Sequence, residues 1–220
     1  MRNDTARESR LVALISSTGF VLRLDPISEK DLAVAVLTRG RGVVRGVVRG
    51  ARGNTRKAAA LQLLTEVSLT IYRREGADLA RFDAVEIVQS AFALAGRGET
   101  AMLLPYLAEN LLTFVPDSDP GEEVYRLTRH VLDALLAGVD PDLSARYFEI
   151  WMLRFAGLLP ELAEMPAEAR PVAAAALRKP LPEAGKFGRT DLAAAEALCR
   201  GLRREFLGHE LKSYRFLDLA

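Results

Sequence analysis

The chain has 220 residues, of which half are apolar and 27% are charged, as is usual for a folded globular protein. No apolar run reaches the roughly 18 residues of a membrane helix, and the charged residues 1–10 do not resemble a signal peptide. We therefore expect a cytoplasmic protein with one large domain or two small domains. A single cysteine, Cys199, excludes a disulfide within the chain and disfavours a cysteine-based zinc site. Its apolar neighbours predict a buried position on a helix.

The charge is distributed unevenly along the chain. Residues 1–90 carry 15 Lys and Arg against 10 Asp and Glu, a net charge of +5, whereas residues 91–220 carry 15 against 19, a net charge of −4. This asymmetry suggests two domains with different partners. The patterns described next place the boundary between residues 88 and 89.

Five short β-rich stretches precede that boundary, with glycines inside several of them. They lie at residues 10–24, 32–37, 42–49, 64–72 and 79–88. In the fourth stretch Val67, Leu69 and Ile71 alternate with polar residues, which predicts one buried face, and residues 74–78 predict a hairpin turn. The pattern predicts an OB fold, a five-stranded barrel in which strand glycines allow bends. An SH3-like barrel or an open sheet fits the strand count as well.

The pattern becomes helical from about residue 98. Apolar residues at helical spacing predict a helix over 100–115, and Asp119-Pro120 and Asp140-Pro141 each provide an N-cap followed by proline at the first helical position. A last helix is expected at 191–207. Residues 162–190 are less regular and rich in proline, with room for a short alanine-rich helix. The predicted fold class is therefore α+β, an OB barrel over residues 1–88 followed by an all-α domain over residues 89–220.

An acid-free basic stretch lies inside the predicted barrel. Between Asp31 and Glu66 there is no acidic residue, and seven cations fall within nineteen residues: Arg39, Arg41, Arg45, Arg49, Arg52, Arg56 and Lys57. Guanidinium groups match phosphate oxygens in geometry and charge, so we predict a surface that binds nucleic acid or another polyanion. A solvated basic loop is the alternative.

Strand geometry refines the prediction for this surface. Arg45 and Arg49 share one face of an extended strand, and Val44 and Val48 then point into the barrel. Because the barrel offers only Phe20, Tyr72 and Phe82 as aromatic platforms, and some of these belong in the core, we expect backbone electrostatics to dominate binding.

Catalytic signatures are absent from the sequence. His130 and His209 lie in helical segments outside any metal-spaced motif, and neither a phosphate-binding GxxxxGK[ST] loop nor a GxSxG elbow occurs. We predict a binding protein rather than an enzyme, with no catalytic residues, cofactor or metal.

Several motifs, in order along nearly the whole chain, resemble the RecO family of recombination mediators. They are GFVLR at 19–23, LTRGRG at 37–42, VVRGAR at 47–52, the strand at 64–72, the helix at 146–162 ending in GLLPEL, and LKSYRFL at 211–217. The last motif is the most specific. Many relatives carry a four-cysteine zinc finger after the Pro-x-Leu sequence, but residues 163–190 contain no cysteine, so we expect prolines and packing to hold this segment instead.

The resemblance implies a bacterial, nucleoid-associated protein that works in DNA repair and homologous recombination through the RecFOR pathway. It implies binding of single- and double-stranded DNA, annealing of complementary strands, and joint action with RecR in loading recombinase onto DNA coated by single-strand-binding protein. The helical domain is the expected dock for the C-terminal tail of single-strand-binding protein. Lys212 and Arg215 in the tail motif form a second candidate set of DNA contacts, with intramolecular pairing as their alternative role. An OB-fold RNA-binding protein and a protein–protein adaptor with a basic barrel are the alternative functions.

Overall fold

The computed structural model describes residues 11–74, 77–116 and 121–217. They fall into two compact units, with the division between Ser90 and Ala91.

The first unit is a five-stranded closed barrel. Its strands are β1 (Leu11–Pro26), β2 (Leu32–Thr38), β3 (Gly42–Val48), β4 (Glu66–Arg74) and β5 (Ala80–Gln89). The order around the barrel is β1-β2-β3-β5-β4, antiparallel throughout except for the parallel pair β3–β5. The long β1 pairs with β4 along its first part and with β2 along its second part, and its register with β2 shifts between Val21 and Arg23. This arrangement confirms the predicted OB-like barrel.

Alternating side chains fill the barrel interior, as the sequence predicts. Val67, Leu69 and Ile71 are buried in one core, together with Val48, and Val44 packs against that core. Gly46 lies where β3 meets β5, and a Cβ atom there would stand only 2.9 Å from the Ala80 carbonyl oxygen and 2.8 Å from the Phe82 ring. The lack of a side chain at Gly46 thus allows the close approach that closes the barrel.

A short helix in the first unit was missed by the sequence analysis. Helix α1 (Thr55–Ala60) lies between β3 and β4, and the side chain of Asn54 caps it by accepting a hydrogen bond from the Lys57 N–H at 3.0 Å. Ala60 anchors it in the barrel core. A six-residue helix with two cations and one buried alanine has little apolar periodicity, so the pattern gave no signal.

The second unit is helical, as predicted. It contains α2 (Phe92–Ala95), α3 (Gly98–Phe114), α4 (Glu122–Leu136), α5 (Pro141–Phe155), α6 (Arg170–Arg178), α7 (Arg189–Leu207) and α8 (Tyr214–Leu217). The predicted start of α5 is confirmed, because the Asp140 carboxylate accepts a hydrogen bond from the Leu143 N–H at 2.8 Å. The predicted start at Asp119-Pro120 and the centre of the predicted turn at 74–78 lie outside the described residues.

Charged side chains are buried at the centre of the helical unit. Glu149 on α5 lies between two arginines, with Arg146 Nε at 2.8 Å and Arg203 Nη1 at 3.3 Å, and it also accepts a hydrogen bond from the Tyr106 hydroxyl. Burial and the charge of Glu149 raise the pKa of Tyr106 well above its ordinary value. The network joins α3, α5 and α7. Cys199 is fully buried nearby on α7, as predicted, and this burial raises the pKa of its thiol.

The proline-rich segment after α5 is held by packing and by hydrogen bonds between its backbone and side chains of α4 and α5. The Trp151 indole N–H donates to the Ala176 carbonyl at 3.0 Å, and the Leu181 N–H donates to His130 Nε2 at 3.0 Å. Val172, Ala173 and Leu181 are buried. His130 therefore has a structural contact with the proline-rich segment.

Candidate nucleic-acid interface

The seven basic residues of the acid-free stretch follow β3 and its two ends. Arg39 and Arg41 lie in the tight turn from β2 to β3, on either side of Gly40, and Arg45 projects outward from the middle of β3. The other four lie in the loop and helix α1 that follow. All six arginines are exposed. At about 3.3 Å per residue, the eight steps from Arg41 to Arg49 span roughly 26 Å. The cations therefore lie along a track that several consecutive phosphates of one strand can follow.

The structure places the two arginines that were predicted to share one face of β3 on either side of the end of that strand. Strand β3 ends at Val48, and Arg49 lies in the turn that follows, before Gly50 at a positive φ of 63°. Arg45 and Arg49 are both exposed, whereas Val48 between them is buried. A common face for the two arginines stays a prediction.

The end of the track near α1 is fastened by contacts that a sequence pattern does not show. Arg52 donates to the Ser28 carbonyl at 3.3 Å, Lys57 donates to the Arg49 carbonyl at 2.8 Å, and Arg56 lies 3.4 Å from Glu86 on β5. The stretch is free of acids along the chain, but Glu86 supplies an acidic neighbour in space. Arg56 and Glu86 are both well exposed, so their pairing contributes little to stability and can yield to a phosphate.

A pocket of about 520 Å³ opens on the barrel beside Arg49. The loop from β1 to β2, the end of β3 and the β4–β5 hairpin line it, with Ile27, Asp31, Val47, Arg49, Tyr72, Ala77, Leu79, Ala80 and Arg81 as lining residues. In OB folds these two loops and the neighbouring strands form the ligand-binding face. We call this feature the barrel pocket.

Tyr72 is the aromatic residue of the barrel pocket. It lies opposite Arg81 in the β4–β5 register, and the Arg81 guanidinium stands 5.7 Å from the centre of its ring. Phe20 and Phe82 are buried and cannot stack on a ligand. Of the three predicted aromatic platforms, this leaves Tyr72. Arg81 lay outside the acid-free stretch and was missed, although its spacing from Tyr72 across the predicted hairpin could have pointed to it.

Lys212 and Arg215 belong to the helical unit, where the tail that carries them is docked on α3. The Glu109 carboxylate accepts hydrogen bonds from the Lys212 N–H at 3.0 Å and from the Ser213 N–H at 2.7 Å. Partial burial raises the pKa of Glu109, but the hydrogen bonds from Ser213 and Lys212 outweigh it and hold that pKa below its ordinary value. The backbone of the tail is thus locked intramolecularly, while the side chains of Lys212 and Arg215 remain exposed.

Among the residues that the structure describes, no group of three or more His, Cys, Asp or Glu side chains is placed to hold a metal ion. No helix in the same ranges has the length and apolar character needed to cross a bilayer.

Comparison with known proteins identifies the family. Residues 12–91 match the family described as Recombination protein O N terminal, and residues 95–171 match Recombination protein O C terminal. The chain is 35% identical over 150 residues to the DNA repair protein RecO of Koribacter versatilis, and 38% identical over 149 residues to that of Anaeromyxobacter sp. strain K. These matches cover 68% and 67% of this chain, and the chain spans 61% and 59% of the length of the two relatives. A barrel and a helical unit, each matched by its own half of one family, show that the chain belongs to the RecO family.

Proposed function

We propose that this protein is a non-enzymatic mediator of DNA repair and homologous recombination that binds single- and double-stranded DNA and anneals complementary strands. The observation that carries the proposal is the exposed cation track along β3 of the barrel, in a chain of the RecO family. Annealing requires no covalent chemistry. A basic surface reduces the repulsion between two phosphate backbones, so that base pairing can proceed.

Membership of the RecO family supports a wider role in the cell. Together with RecR, the protein helps to load recombinase onto DNA coated by single-strand-binding protein, and the helical unit receives the C-terminal tail of single-strand-binding protein. The working location is the bacterial cytoplasm, at the nucleoid. The relatives are named as DNA repair proteins, which supports a role in repair.

Strand annealing tests the proposal directly. Complementary oligonucleotides, one carrying a donor dye and the other an acceptor, are mixed with wild-type protein or with Arg45→Ala/Arg49→Ala. The rise in energy transfer between the dyes measures the rate of duplex formation. The wild type should accelerate annealing, and the double variant and moderate salt should both reduce the rate. The matched control is Arg126→Ala/Arg204→Ala, which removes the same charge from exposed positions on α4 and α7.

The outcome also separates the alternatives. No annealing and no DNA binding at physiological salt would favour the protein–protein adaptor. Tighter binding to structured RNA, without annealing, would favour an RNA-binding protein. An equal loss of annealing in the control variant would remove the barrel track from the proposal and leave total charge as the cause.

A further inference from the structure

The barrel pocket combines apolar side chains with a charged rim. Ile27 in the β1–β2 loop and Leu79 before β5 are large apolar residues, 52% and 44% exposed, and both line the pocket. Apolar groups that remain exposed around a concavity mark a place where a partly apolar group binds. The volume of about 520 Å³ lies in the range of small-molecule sites.

Tyr72 and Arg81 give the pocket a flat, ordered wall. The Arg81 guanidinium stands 5.7 Å from the centre of the Tyr72 ring, within the range of a cation–π contact. Asp83 holds the same guanidinium at 2.7 Å. Arg81 is therefore held at two points, so a planar group that stacks on the Tyr72 ring or on the guanidinium costs these side chains little further freedom.

The charges around the pocket favour a base inside it rather than a phosphate. Asp31 lines the pocket, and its carboxylate accepts the Gly50 N–H at 2.8 Å, which fixes an acidic group in the wall. Arg49 lines the pocket with the opposite charge, and the charge of the third lining ion, Arg81, is offset by Asp83 at 2.7 Å. These four side chains together carry no net charge, which suits a neutral base better than a phosphate. Arg45 lies on β3, four residues before Arg49, where it can contact the backbone that passes outside.

From these contacts we infer that the barrel pocket takes one unstacked base of single-stranded DNA, with Tyr72 as its stacking residue. The inference rests on the proposed DNA-binding function and adds a preference for single strands. In a duplex the bases are paired and stacked and cannot enter a pocket. Duplex DNA therefore uses the cation track alone, and the pocket contributes only to single-strand binding.

The test measures the affinity of wild-type protein, Tyr72→Ala, Tyr72→Phe and Leu14→Ala by fluorescence anisotropy. The probes are a labelled oligothymidylate, a labelled duplex, and an oligomer of abasic sites with the same number of phosphates. Leu14 is the matched control, because it lies opposite Tyr72 on β1, is exposed, and is not a lining residue.

Loss of the stacked base should weaken oligothymidylate binding by Tyr72→Ala roughly tenfold, with duplex binding unchanged. Tyr72→Phe and Leu14→Ala should bind like the wild type. Unchanged duplex binding also shows that Tyr72→Ala is folded. If Tyr72→Ala is unstable, the wild type alone still tests whether a base enters the barrel pocket. It should bind the abasic oligomer roughly tenfold more weakly than oligothymidylate.

Two results would overturn the inference while leaving the proposed function intact. One is an equal affinity of the wild type for the abasic and the base-carrying strand. The other is an equal effect of Tyr72→Ala on single strands and duplex. Failure of the proposed function is distinct, since the wild type would then bind none of the three probes.

Discussion

Gly46 shows how one residue can decide whether a barrel closes. Strands β3 and β5 pair in parallel at only three positions, Gly46 with Ala80, Val47 with Arg81 and Val48 with Phe82. Phe82 is buried in the core, and its ring occupies the space that a side chain at Gly46 would need. Because both the ring and the Ala80 carbonyl are held in place, this strand pair has little room to adjust.

Gly46→Ala should therefore destabilise the barrel. We expect a loss of about 1–3 kcal/mol in the free energy of unfolding, the usual cost of overpacking a core, measured by urea denaturation. Gly53→Ala is the control, because a Cβ atom there meets nothing within 4 Å and Gly53 has no positive φ. Equal stabilities of the two variants would show that β3 and β5 can separate at little cost.

The tail of the helical unit is an element whose position depends on one carboxylate. The Glu109 side chain on α3 receives the N–H groups of Lys212 and Ser213, just before α8, and Tyr214 at the start of α8 is buried. The family-like tail motif thus has a structural role in addition to any contact with DNA. Lys212 and Arg215 remain exposed on the docked tail, and their contact with DNA stays a prediction.

Docking of the tail should depend on pH through Glu109. The pKa of Glu109 is lowered in the folded protein, so its contribution to stability is present above the ordinary glutamate pKa of about 4.3 and is lost as the pH falls through the lowered value. Glu109→Gln can accept only part of these hydrogen bonds and should cost about 1–2 kcal/mol at pH 7. In urea denaturation, the difference in the free energy of unfolding between wild type and Glu109→Gln should become smaller below about pH 4. Glu205→Gln, at an exposed position on α7, is the control and should unfold with the same free energy as the wild type. A stability difference for Glu109→Gln that stays constant with pH would contradict the dependence of tail docking on ionised Glu109.

At the scale of the whole molecule, charge is divided between the two units. The net charge of +1 consists of +5 over residues 1–90 and −4 over residues 91–220, and the structure divides the chain at the same place. A protein of nearly zero net charge can therefore present a strongly basic surface to a polyanion. The division predicts that salt acts mainly on the contribution of the barrel.

Salt dependence should report the number of phosphates that the barrel contacts. If about five cations contact single-stranded DNA, the logarithm of the binding constant should fall against the logarithm of salt concentration with a slope of about −3.5. Arg45→Ala/Arg49→Ala should make the slope shallower by about 1.4, as expected for two lost contacts. Anisotropy titrations over a series of salt concentrations measure both values. A slope near zero, or one unchanged in the double variant, would show that these cations do not bind the backbone.

Much of the fold is determined by local patterns that can be read directly from the sequence. Alternation in residues 67–71 predicts a buried strand face because side chains of a strand point alternately to its two sides. The cap and proline at Asp140-Pro141 predict the start of α5 because they satisfy the free N–H groups of a first turn. The acid-free stretch and its seven cations follow from composition alone. The tail and strand motifs predict the family.

Only the tertiary structure decides which distant residues meet. Tyr72, Arg81 and Arg49 come together at the barrel pocket because β5 pairs with both β3 and β4, and no pattern within a single strand contains that pairing. The same holds for Glu86 beside Arg56 and for Glu109 beneath the tail. Strand β3 ends at Val48, one residue before the predicted end, and Gly50 follows in the left-handed region, which the alternating pattern does not encode. Local periodicity thus determined most of the strands and long helices of this protein, but not the short helix α1, whereas contacts between residues far apart in the chain formed the barrel pocket.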